Sequence, residues 1–406
     1  MENTETDDTT DAATLPVVKI LAGRHKRVRA GHPWVFSNEI DMTAAAKALP
    51  PGAPVTLIDA SGASVGTAFF NPQPLISGRM LSREANTAID TDWIAARLQQ
   101  AQALRDRLFD RPYYRLVHAE ADGLPGLIVD RYGDVCVVQL NTAGMDRLID
   151  GIVTALRRTV APAGIVIQRE GGARRLEGLD DQPIEIIGEV PSPAPVIENG
   201  VAFMADLAGG QKTGWFFDHR ENRARAAALA PARTVLDMCC YLGGFGLQAA
   251  VAGASDVLCV DRSQPALDLA AQAAAIAGVA DRCTFEKAEA FPAMEKLTRA
   301  GRRFGVVVVD PPAFVKSKKD LKPGTRGYRK LARLAAALVE PQGILCIASC
   351  SHHVDMPLFA EQVRRGMEDA NRTGRILHAD GAGPDHPVHP SLPETAYLKC
   401  LFLQID

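Results

Sequence analysis

Apolar and polar positions alternate with different periods in different parts of the chain. Beyond residue 232, short continuous apolar runs are separated by Ala-rich segments of helical length. Such runs are typical of strands buried on both faces of a parallel sheet, and their alternation with helices predicts a doubly wound α/β sheet. The predicted strands are residues 234–238, 256–260, 283–286, 306–309, 344–348, 374–378 and 397–403, and the predicted helices include 264–276 and 328–338.

The first half of the chain follows other patterns. Residues 17–84 are rich in glycine and proline and contain short strand-like runs, such as 55–58 and 64–70, which is typical of a small β domain. An amphipathic helix at 93–108 is then followed by strands at 127–129, 135–140 and 164–167 and a helix at 145–159. We predict five parts: a disordered tail (1–15), a β-rich domain (16–84), an α+β domain (85–190), a linker or hairpin with a Pro-rich segment (191–215), and the doubly wound domain (216–406).

Composition and charge narrow the classes of function. The 406 residues are 47% hydrophobic and 23% charged, and no apolar run is long enough to span a membrane. The Thr- and Asp-rich N-terminus lacks the features of a signal peptide, and the eight cysteines lack the paired spacing of a zinc site. We therefore predict a cytoplasmic protein with reduced thiols and no metal. The net charge of −3 argues against global attraction to nucleic acid, so local charge must be considered.

Two of the predicted strands end in polar, reactive residues. The run 306–309 leads into Asp310-Pro311-Pro312, and the run 344–348 leads into Ser349-Cys350-Ser351. Ligands of open α/β sheets bind in the crevice outside the carboxyl ends of the strands. If the two strands are neighbours, a carboxylate and a thiol face one crevice. That pairing is suited to adding a nucleophile to a ring and stabilising the resulting charge.

The first strand of the sheet leads into a glycine-rich turn at residues 237–246, which begins with Asp237. Glycines let a backbone approach a bound cofactor closely. Residues 244–249 match the dinucleotide pattern G-x-G-x-x-A, but they come several residues after the strand, where that pattern should follow at once. The turn instead resembles motif I of class I S-adenosylmethionine-dependent methyltransferases, in which a carboxylate after the second strand holds the ribose. Asp261 is placed for that role; the alternative is that it caps a helix, for which Ser263 competes.

The strand ends leave two chemistries open. Asp310-Pro311-Pro312 occupies the place of methyltransferase motif IV and resembles the D/N-P-P-aromatic motif of amino-group methyltransferases, although Ala313 stands in the fourth position. Cys350 offers a different reaction, because a thiolate that attacks C6 of cytosine makes C5 enamine-like and able to take a methyl group. An acid near N3 would stabilise the adduct, and Asp310 is a candidate. The alternative is that Cys350 is a small buried strand residue, as we expect for Cys346.

Three longer stretches carry a closer resemblance, which covers nearly the whole chain. They are His32-Pro33-Trp34-Val35-Phe36-Ser37, residues 120–132 and residues 210–220. Together with Asp310-Pro311-Pro312, Ser349-Cys350-Ser351 and Asp385-His386-Pro387, they resemble the bacterial 23S rRNA cytosine-5 methyltransferase family with an N-terminal PUA domain. The resemblance implies a Rossmann-like methyltransferase sheet preceded by a PUA domain and an α+β middle domain.

The resemblance also implies roles for particular residues. Cys350 is the nucleophile, S-adenosylmethionine is the cofactor, and the stretch 212–220 helps to bind it. Asp310, a candidate from the chemistry above, is the second predicted catalytic residue. The predicted cofactor-binding residues are Lys212, Gly214, Asp218, Arg220, Asp237, Tyr241, Gly243, Gly244, Phe245, Asp261, Arg262, Glu289, Asp310 and Pro311. Two-cysteine RNA methyltransferases carry another cysteine in motif IV, where this chain has Ala313, so the group that removes the C5 proton stays open.

Local charge supports RNA as a partner. Residues 316–330 carry seven basic side chains and one acidic side chain directly after motif IV, which predicts a basic loop beside the site. A second basic cluster lies at residues 24–29 in the PUA segment. Either cluster could instead be a solvated surface segment. The predicted RNA-binding residues are Arg24, Lys26, Arg27, Phe314, Lys316, Lys318, Arg326 and Tyr328, and either Phe314 or Tyr328 could stack on a base.

These observations lead to one prediction and two alternatives. We predict that the protein transfers a methyl group from S-adenosylmethionine to C5 of a cytosine in 23S rRNA, and the resemblance makes a homodimer plausible. The first alternative is amino-group methylation of a purine in RNA, which needs no thiol. The second is a non-catalytic, RNA-binding assembly factor.

Overall fold

The computed structural model describes residues 14–210 and 213–406. Most of the predicted disordered tail and the predicted cofactor residue Lys212 lie outside these ranges. The chain forms two compact units. One comprises the described residues of 1–104, 116–129 and 138–185, and the other comprises those of 105–115, 130–137 and 186–406. The boundaries of the five parts predicted from the sequence stay predictions.

The N-terminal segment forms a five-stranded sheet in the order β1-β3-β4-β5-β2, as expected for a small β domain. Strand β1 is parallel to β3, and the other neighbours are antiparallel. Alternate strand residues, such as Val55 and Leu57, fill its core. The elements are β1 (Val17–Lys19), α1 (His25–Arg29), β2 (Trp34–Phe36), α2 (Ala44–Lys47), β3 (Ala53–Ile58), β4 (Ser64–Phe70) and β5 (Ile76–Ser82).

A second five-stranded sheet has the order β10-β9-β8-β7-β6. Its helices and strands agree with the predicted α+β pattern, except that the helix expected at 145–159 is interrupted. Leu148, with φ −98° and ψ 13°, leaves the helical region and separates two helices. The elements are α3 (Thr91–Leu108), β6 (Tyr113–His118), β7 (Leu127–Tyr132), β8 (Val135–Leu140), α4 (Ala143–Arg147), α5 (Ile149–Thr159), β9 (Gly164–Arg169), α6 (Gly172–Leu176) and β10 (Gln182–Gly188).

The predicted linker contains a β-hairpin. Strands β11 (Ala194–Glu198) and β12 (Val201–Ala205) are antiparallel and are joined by Asn199 and Gly200, which both have positive φ, as two-residue hairpin turns require. Glu198 at the end of β11 is fully buried. Its carboxylate accepts hydrogen bonds from Trp215 Nε1 at 2.9 Å and from Arg223 Nη1 at 2.8 Å. The hairpin is therefore fixed to the segment that precedes the third sheet.

The third sheet has seven strands in the order β15-β14-β13-β16-β17-β19-β18, and β19 alone among them runs opposite to the others, because it is antiparallel to both of its neighbours, β17 and β18. This confirms the predicted doubly wound α/β sheet. The chain turns from one side of β13 to the other, which is where such sheets bind ligands. The elements are α7 (Arg220–Ala228), β13 (Thr234–Met238), α8 (Gly244–Val251), β14 (Asp256–Asp261), α9 (Gln264–Ile276), β15 (Cys283–Lys287), α10 (Ala290–Arg299), β16 (Phe304–Val309), α11 (Leu321–Leu338), β17 (Val339–Ser349), α12 (Met356–Asp369), β18 (Gly374–Asp380) and β19 (Lys399–Ile405).

The predicted basic loop at 316–330 is mostly helical, which corrects the prediction. Helix α11 begins at Leu321, seven residues before the predicted start, and Pro323 lies in its first turn, where a missing N–H costs no hydrogen bond. Gly324 is required there, because a Cβ atom would lie 2.3 Å from Val315 Cγ2. Among the described residues, no helix is both long and apolar enough to cross a membrane.

Candidate active site

The carboxyl ends of β16 and β17 lie side by side, which confirms that these strands are neighbours. The strands are parallel, and Val309 pairs with Ile347. Asp310 and Cys350 therefore follow them at the same edge of the sheet. The Sγ atom of Cys350 lies 4.0 Å from the carbonyl oxygen of Pro311. The Asp310 side chain is 27% exposed and Cys350 is partly exposed, so a substrate can reach both.

Hydrogen bonds of Ser351 and Tyr328 connect the segments that follow β16 and β17. Ser351 Oγ accepts a hydrogen bond from the backbone N–H of Val315 at 3.1 Å and lies 2.7 Å from the Tyr328 hydroxyl. Tyr328 is completely buried, with its ring against Phe314 and Phe359, and burial raises the pKa of its hydroxyl. The prediction that Tyr328 stacks on a base is therefore wrong. Its ring is enclosed in the core, and its hydroxyl contacts Ser351, the residue after Cys350.

Lys399 is a buried cation near Cys350 that the sequence analysis missed. It lies on β19 opposite Ser349, and its Nζ donates to the carbonyl oxygens of Ser351 and Tyr397, each at 2.6 Å. Burial lowers the pKa of Lys399 to about 8, and a negative charge on Cys350 acts in the opposite direction. A lysine ammonium group beside a cysteine favours the thiolate. A lysine at the start of an otherwise apolar strand is the sequence signal that could have found it.

His219 contacts the other predicted catalytic residue and was also missed. It ends a short 3-10 turn, Phe217–His219, and its Nε2 lies 3.2 Å from Oδ2 of Asp310. Burial alone would lower the pKa of His219, but the negative charge of Asp310 raises it to about 9. His219 belongs to the stretch 212–220 that the resemblance assigns to the cofactor. No pattern in the sequence indicates its contact with a distant strand end.

Asp237 organises the glycine-rich turn after β13. Its Oδ2 accepts the backbone N–H of Gly246 at 2.8 Å, whereas Oδ1 has no hydrogen-bond partner among the described residues. Burial, with a further contribution from the charges of Asp310 and Asp261, raises the pKa of Asp237 to about 7. Buried polar atoms are almost always hydrogen-bonded, so this oxygen is suited to a cationic group of a ligand.

The glycines of the turn leave no room for side chains. A Cβ atom on Gly246 would lie 2.5 Å from Cys259 Sγ, and one on Gly244 would lie 2.5 Å from Arg223 Nε. Gly243 has a φ of 75°, in the left-handed region that favours glycine. Helix α8 begins at Gly244, and the first N–H groups of a helix have no partner within it. The turn therefore offers backbone donors at close range to a ligand.

Asp261 at the end of β14 holds the same turn from the other side. Its carboxylate accepts hydrogen bonds from the backbone N–H groups of Tyr241 at 3.0 Å and Ser263 at 2.9 Å. Ser263 is the residue that caps α9, because its side chain accepts from the N–H of Ala266. The alternative that Asp261 caps this helix is therefore wrong. The Tyr241 hydroxyl in turn donates to the carbonyl oxygen of Gly214 at 3.2 Å.

The other predicted cofactor residues differ in exposure. Asp218 and Arg220 are buried and make contacts inside the protein: Asp218 Oδ2 accepts from the Tyr397 hydroxyl at 2.6 Å, and Arg220 donates to the carbonyl oxygen of Tyr113. These contacts support the walls of the site, and direct contact with a cofactor stays a prediction. Phe245 and Pro311 are buried, and Arg262 and Glu289 are exposed.

The predicted RNA-binding residues lie in two separate regions. After motif IV, Lys316, Lys318 and Arg326 are exposed and Phe314 is partly exposed. In the N-terminal cluster, Arg24 and Lys26 are exposed, whereas Arg27 is already engaged. Arg27 Nη2 lies 2.7 Å from Glu39 Oε2 and also donates to the carbonyl oxygen of Trp34. RNA contact by any of these residues stays a prediction.

Comparison with known families defines the class of protein. A sequence model described as a PUA-like domain matches residues 18–83, and one described as S-adenosylmethionine-dependent methyltransferase matches residues 148–403. The solved structure of a SAM-dependent methyltransferase from Streptococcus mutans is similar, with a TM-score of 0.80, 19% identity, and coverage of 96% of this chain and 100% of that one. A methyltransferase called SMU.776, solved with SAH, has a TM-score of 0.81 at the same identity and coverage. The fold and site are those of an S-adenosylmethionine-dependent methyltransferase with an N-terminal PUA-like domain.

Full-length relatives identify the family. Ribosomal RNA large subunit methyltransferase I of Tolumonas auensis is 37% identical over 394 residues, which cover 95% of this chain and 98% of that protein. The protein of the same name from Vibrio cholerae is 36% identical over 391 residues, with coverage of 95% and 98%. The chain belongs to the ribosomal RNA large subunit methyltransferase I family.

The residues of the turn fit S-adenosylmethionine, the cofactor of this class. The unpartnered Oδ1 of Asp237 is suited to the cofactor's ammonium group, and the N–H groups at the start of α8 are suited to its carboxylate. When bound, S-adenosylmethionine supplies a methyl group as an electrophile. Among residues 14–210 and 213–406, no group of three or more His, Cys, Asp and Glu side chains could hold a metal ion.

Proposed function

We propose that this protein methylates C5 of a cytosine in 23S rRNA through a covalent bond between Cys350 and C6 of the base. The observation that carries the proposal is the position of a partly exposed thiol beside the motif IV segment, with Cys350 Sγ 4.0 Å from the carbonyl oxygen of Pro311. The name of the relatives supports ribosomal RNA of the large subunit as the substrate. The target base must leave its stack to reach a crevice beyond the strand ends.

In the proposed reaction, the Cys350 thiolate forms a bond to C6, and the electron pair of the C5–C6 double bond moves to C5 and, through C4, towards N3. N3 takes up a proton from water, and the Asp310 carboxylate accepts a hydrogen bond from this N3–H and so stabilises the adduct. C5, made nucleophilic in this way, would take the methyl group that S-adenosylmethionine supplies, and the cofactor's sulfur would keep the electron pair of the broken bond. Loss of the C5 proton to water restores the double bond, breaks the bond between Cys350 and C6, and lets N3 return its proton to water. We assign no side chain that carries the C5 proton to water, because Ala313 has no group that could take it.

The substitution Cys350→Ala tests the proposal. Bisulfite sequencing of 23S rRNA should show one 5-methylcytidine that depends on the wild-type protein and is absent with this variant. Affinity for S-adenosylmethionine should stay close to that of the wild type. Cys283→Ala is a matched control, because Cys283 is also a partly exposed thiol but lies on β15, and it should keep full activity.

Two outcomes would support the alternatives instead. Full activity of the Cys350→Ala variant would reject the covalent mechanism and favour amino-group methylation through Asp310-Pro311-Pro312. Absence of S-adenosylmethionine binding in calorimetry would favour a non-catalytic assembly factor. The predicted cytoplasmic location and homodimer stay predictions.

A further inference from the structure

The carboxylate of Asp310 has one oxygen held by a buried side chain. His219 is only 3% exposed, and its Nε2 lies 3.2 Å from Oδ2 of Asp310. Asp310 itself is 27% exposed. Part of this carboxylate is therefore fixed in the protein while part is open to the crevice. This inference rests on the proposed role of Asp310 at the base.

The surroundings of His219 determine which nitrogen carries its proton. Asn222 is fully buried, and its Nδ2 donates to the carbonyl oxygen of Gly381 at 3.1 Å. The same Nδ2 lies 3.2 Å from Nδ1 of His219. Because a carbonyl oxygen can only accept, the amide nitrogen of Asn222 must face Gly381, and it therefore also donates to Nδ1 of the ring. A neutral His219 then carries its proton on Nε2.

The hydrogen bond from Nε2 of His219 to Asp310 is present in both protonation states of the imidazole ring. The charge of Asp310 raises the pKa of His219 to about 9 although burial opposes this. A neutral ring beside the amide nitrogen of Asn222 keeps its proton on Nε2, and a charged ring has protons on both nitrogens, which requires the Asn222 amide to turn its oxygen towards Nδ1. In both states Nε2 donates to Asp310. The ring also packs edge-on against Phe245 of α8, with centroids 5.3 Å apart.

We propose that His219 is a positioning residue that holds Oδ2 of Asp310 by a hydrogen bond from Nε2 and so keeps Oδ1 directed at the target base. His219 contacts no reacting atom in this arrangement. His219 acts as a hydrogen-bond donor and does not release its proton during the reaction. Another side chain that places an N–H group in the same position can therefore replace it.

Two substitutions distinguish the role of the hydrogen-bond donor of His219 from the role of its ring packing. His219→Gln keeps an N–H donor of similar reach, whereas His219→Phe keeps a ring against Phe245 and removes the donor. With protein-free 23S rRNA, His219→Phe should lower kcat roughly 10- to 100-fold, as loss of a hydrogen bond to a charged group does, while His219→Gln stays within about threefold of wild type. Calorimetry should give near wild-type affinity for S-adenosylmethionine in both variants. Wild-type kcat in His219→Phe, or equal damage in His219→Gln, would overturn the proposal.

A double-mutant cycle with Asp310→Asn distinguishes positioning from a general structural role. If His219 acts through Asp310, adding His219→Phe to Asp310→Asn should lower kcat no further. Multiplication of the two effects would overturn the proposal. If His219→Phe does not fold, His219→Asn takes its place, because its amide is too short to reach Asp310. Full activity of Cys350→Ala would reject the proposed function and leave this cycle unaffected.

A measurement without RNA tests the contact itself. Proton NMR titration of the His219 ring should show an apparent pKa that falls by about one unit or more in Asp310→Asn, because the negative charge that stabilises the protonated ring is removed. An unchanged titration would overturn the proposal whatever the substrate of the enzyme is.

Discussion

The Sγ atom of Cys350 lies 4.0 Å from the carbonyl oxygen of Pro311. This contact connects the thiol to the segment that carries Asp310, although the two motifs are far apart in the chain. A carbonyl oxygen can accept a weak hydrogen bond from a thiol, but it does not stabilise a thiolate. The charge that favours the thiolate must come from another group, and Lys399 is a buried cation that donates to the carbonyl oxygen of Ser351, the residue after Cys350.

We expect Lys399→Met to make Cys350 less reactive. Burial lowers the pKa of Lys399 to about 8, so its ammonium group is charged at neutral pH and loses its charge as the pH rises through 8. Below that pH, removing the charge should raise the apparent pKa of the Cys350 thiol. Tyr328, Tyr397 and Asp355 also face this region, but the first two carry raised pKa values and stay neutral there.

Alkylation by iodoacetamide between pH 6 and 9, followed by mass spectrometry of the Cys350 peptide, measures this effect without RNA. At pH 7 the Lys399→Met variant should react several-fold more slowly than the wild type. Lys296→Met is the control, because Lys296 is an exposed lysine paired with Glu286. Identical pH profiles for wild type and Lys399→Met would show that the ammonium group does not act on the thiol.

We expect cofactor affinity to depend on the protonation of Asp237. Its pKa in the folded protein, about 7, lies above the ordinary value of about 4, so the protonated form stabilises the cofactor-free protein. This contribution is fully present below pH 4 and is lost as the pH rises through 7. A cationic ligand group prefers the carboxylate, so S-adenosylmethionine should bind more tightly as the pH rises from 6 to 8.

Calorimetry at several pH values checks this expectation with Asp237→Asn. The variant should bind S-adenosylmethionine more weakly at pH 8 and should lose the dependence on pH. Asp268→Asn, which changes an exposed carboxylate on α9, is the control and should behave like the wild type. A wild-type affinity that does not change between pH 6 and 8 would contradict the assigned role of Asp237.

The sequence predicts those parts of the site that depend on local patterns. An apolar run that stops at Asp310 or Cys350 indicates a strand end, and the order of strands and helices indicates that these ends share an edge. The turn after β13 is partly local, because Gly243 has a positive φ that the backbone itself requires. The fold class could also be predicted, because it follows from the order of apolar strands and helices along the chain.

The residues of the site that the sequence does not predict are placed there by contacts between distant parts of the chain. His219 reaches Asp310, and Lys399 reaches the chain after β17, only because the sheet brings together segments that are far apart in sequence. Tyr328 was misassigned for a different reason. Its neighbours Pro323 and Gly324 are typical of loops, but a proline is tolerated in the first turn of a helix, and α11 places the ring in the core.

We expect Gly246→Ala to destabilise the protein through a steric clash in the cofactor turn. The new methyl group would lie 2.5 Å from Cys259 Sγ and 3.2 Å from Asp237 Oδ2, and both are buried. Overpacking of this kind costs about 1–3 kcal/mol in free energy of unfolding. Urea unfolding measures the loss. Gly172→Ala, on a helix where a Cβ atom has open space, should be neutral or slightly stabilising, and an equal loss in both variants would contradict the steric explanation.

We expect the exposed cations after motif IV to bind RNA through phosphates. Lys318 and Arg326 are exposed, whereas the neighbouring Arg329 is held by Asp369 at 2.6 Å. Each phosphate contact releases counterions, so Lys318→Ala and Arg326→Ala should each weaken RNA binding and reduce the slope of log K against log salt concentration by about 0.7. Filter binding of 23S rRNA fragments at several salt concentrations measures the slope. Arg364→Ala is the control, because Arg364 on α12 already pairs with Glu361, and it should leave the slope unchanged. If all three variants kept the wild-type slope, this surface would not contact the RNA backbone, and the solvated-surface interpretation of the basic segment would stand.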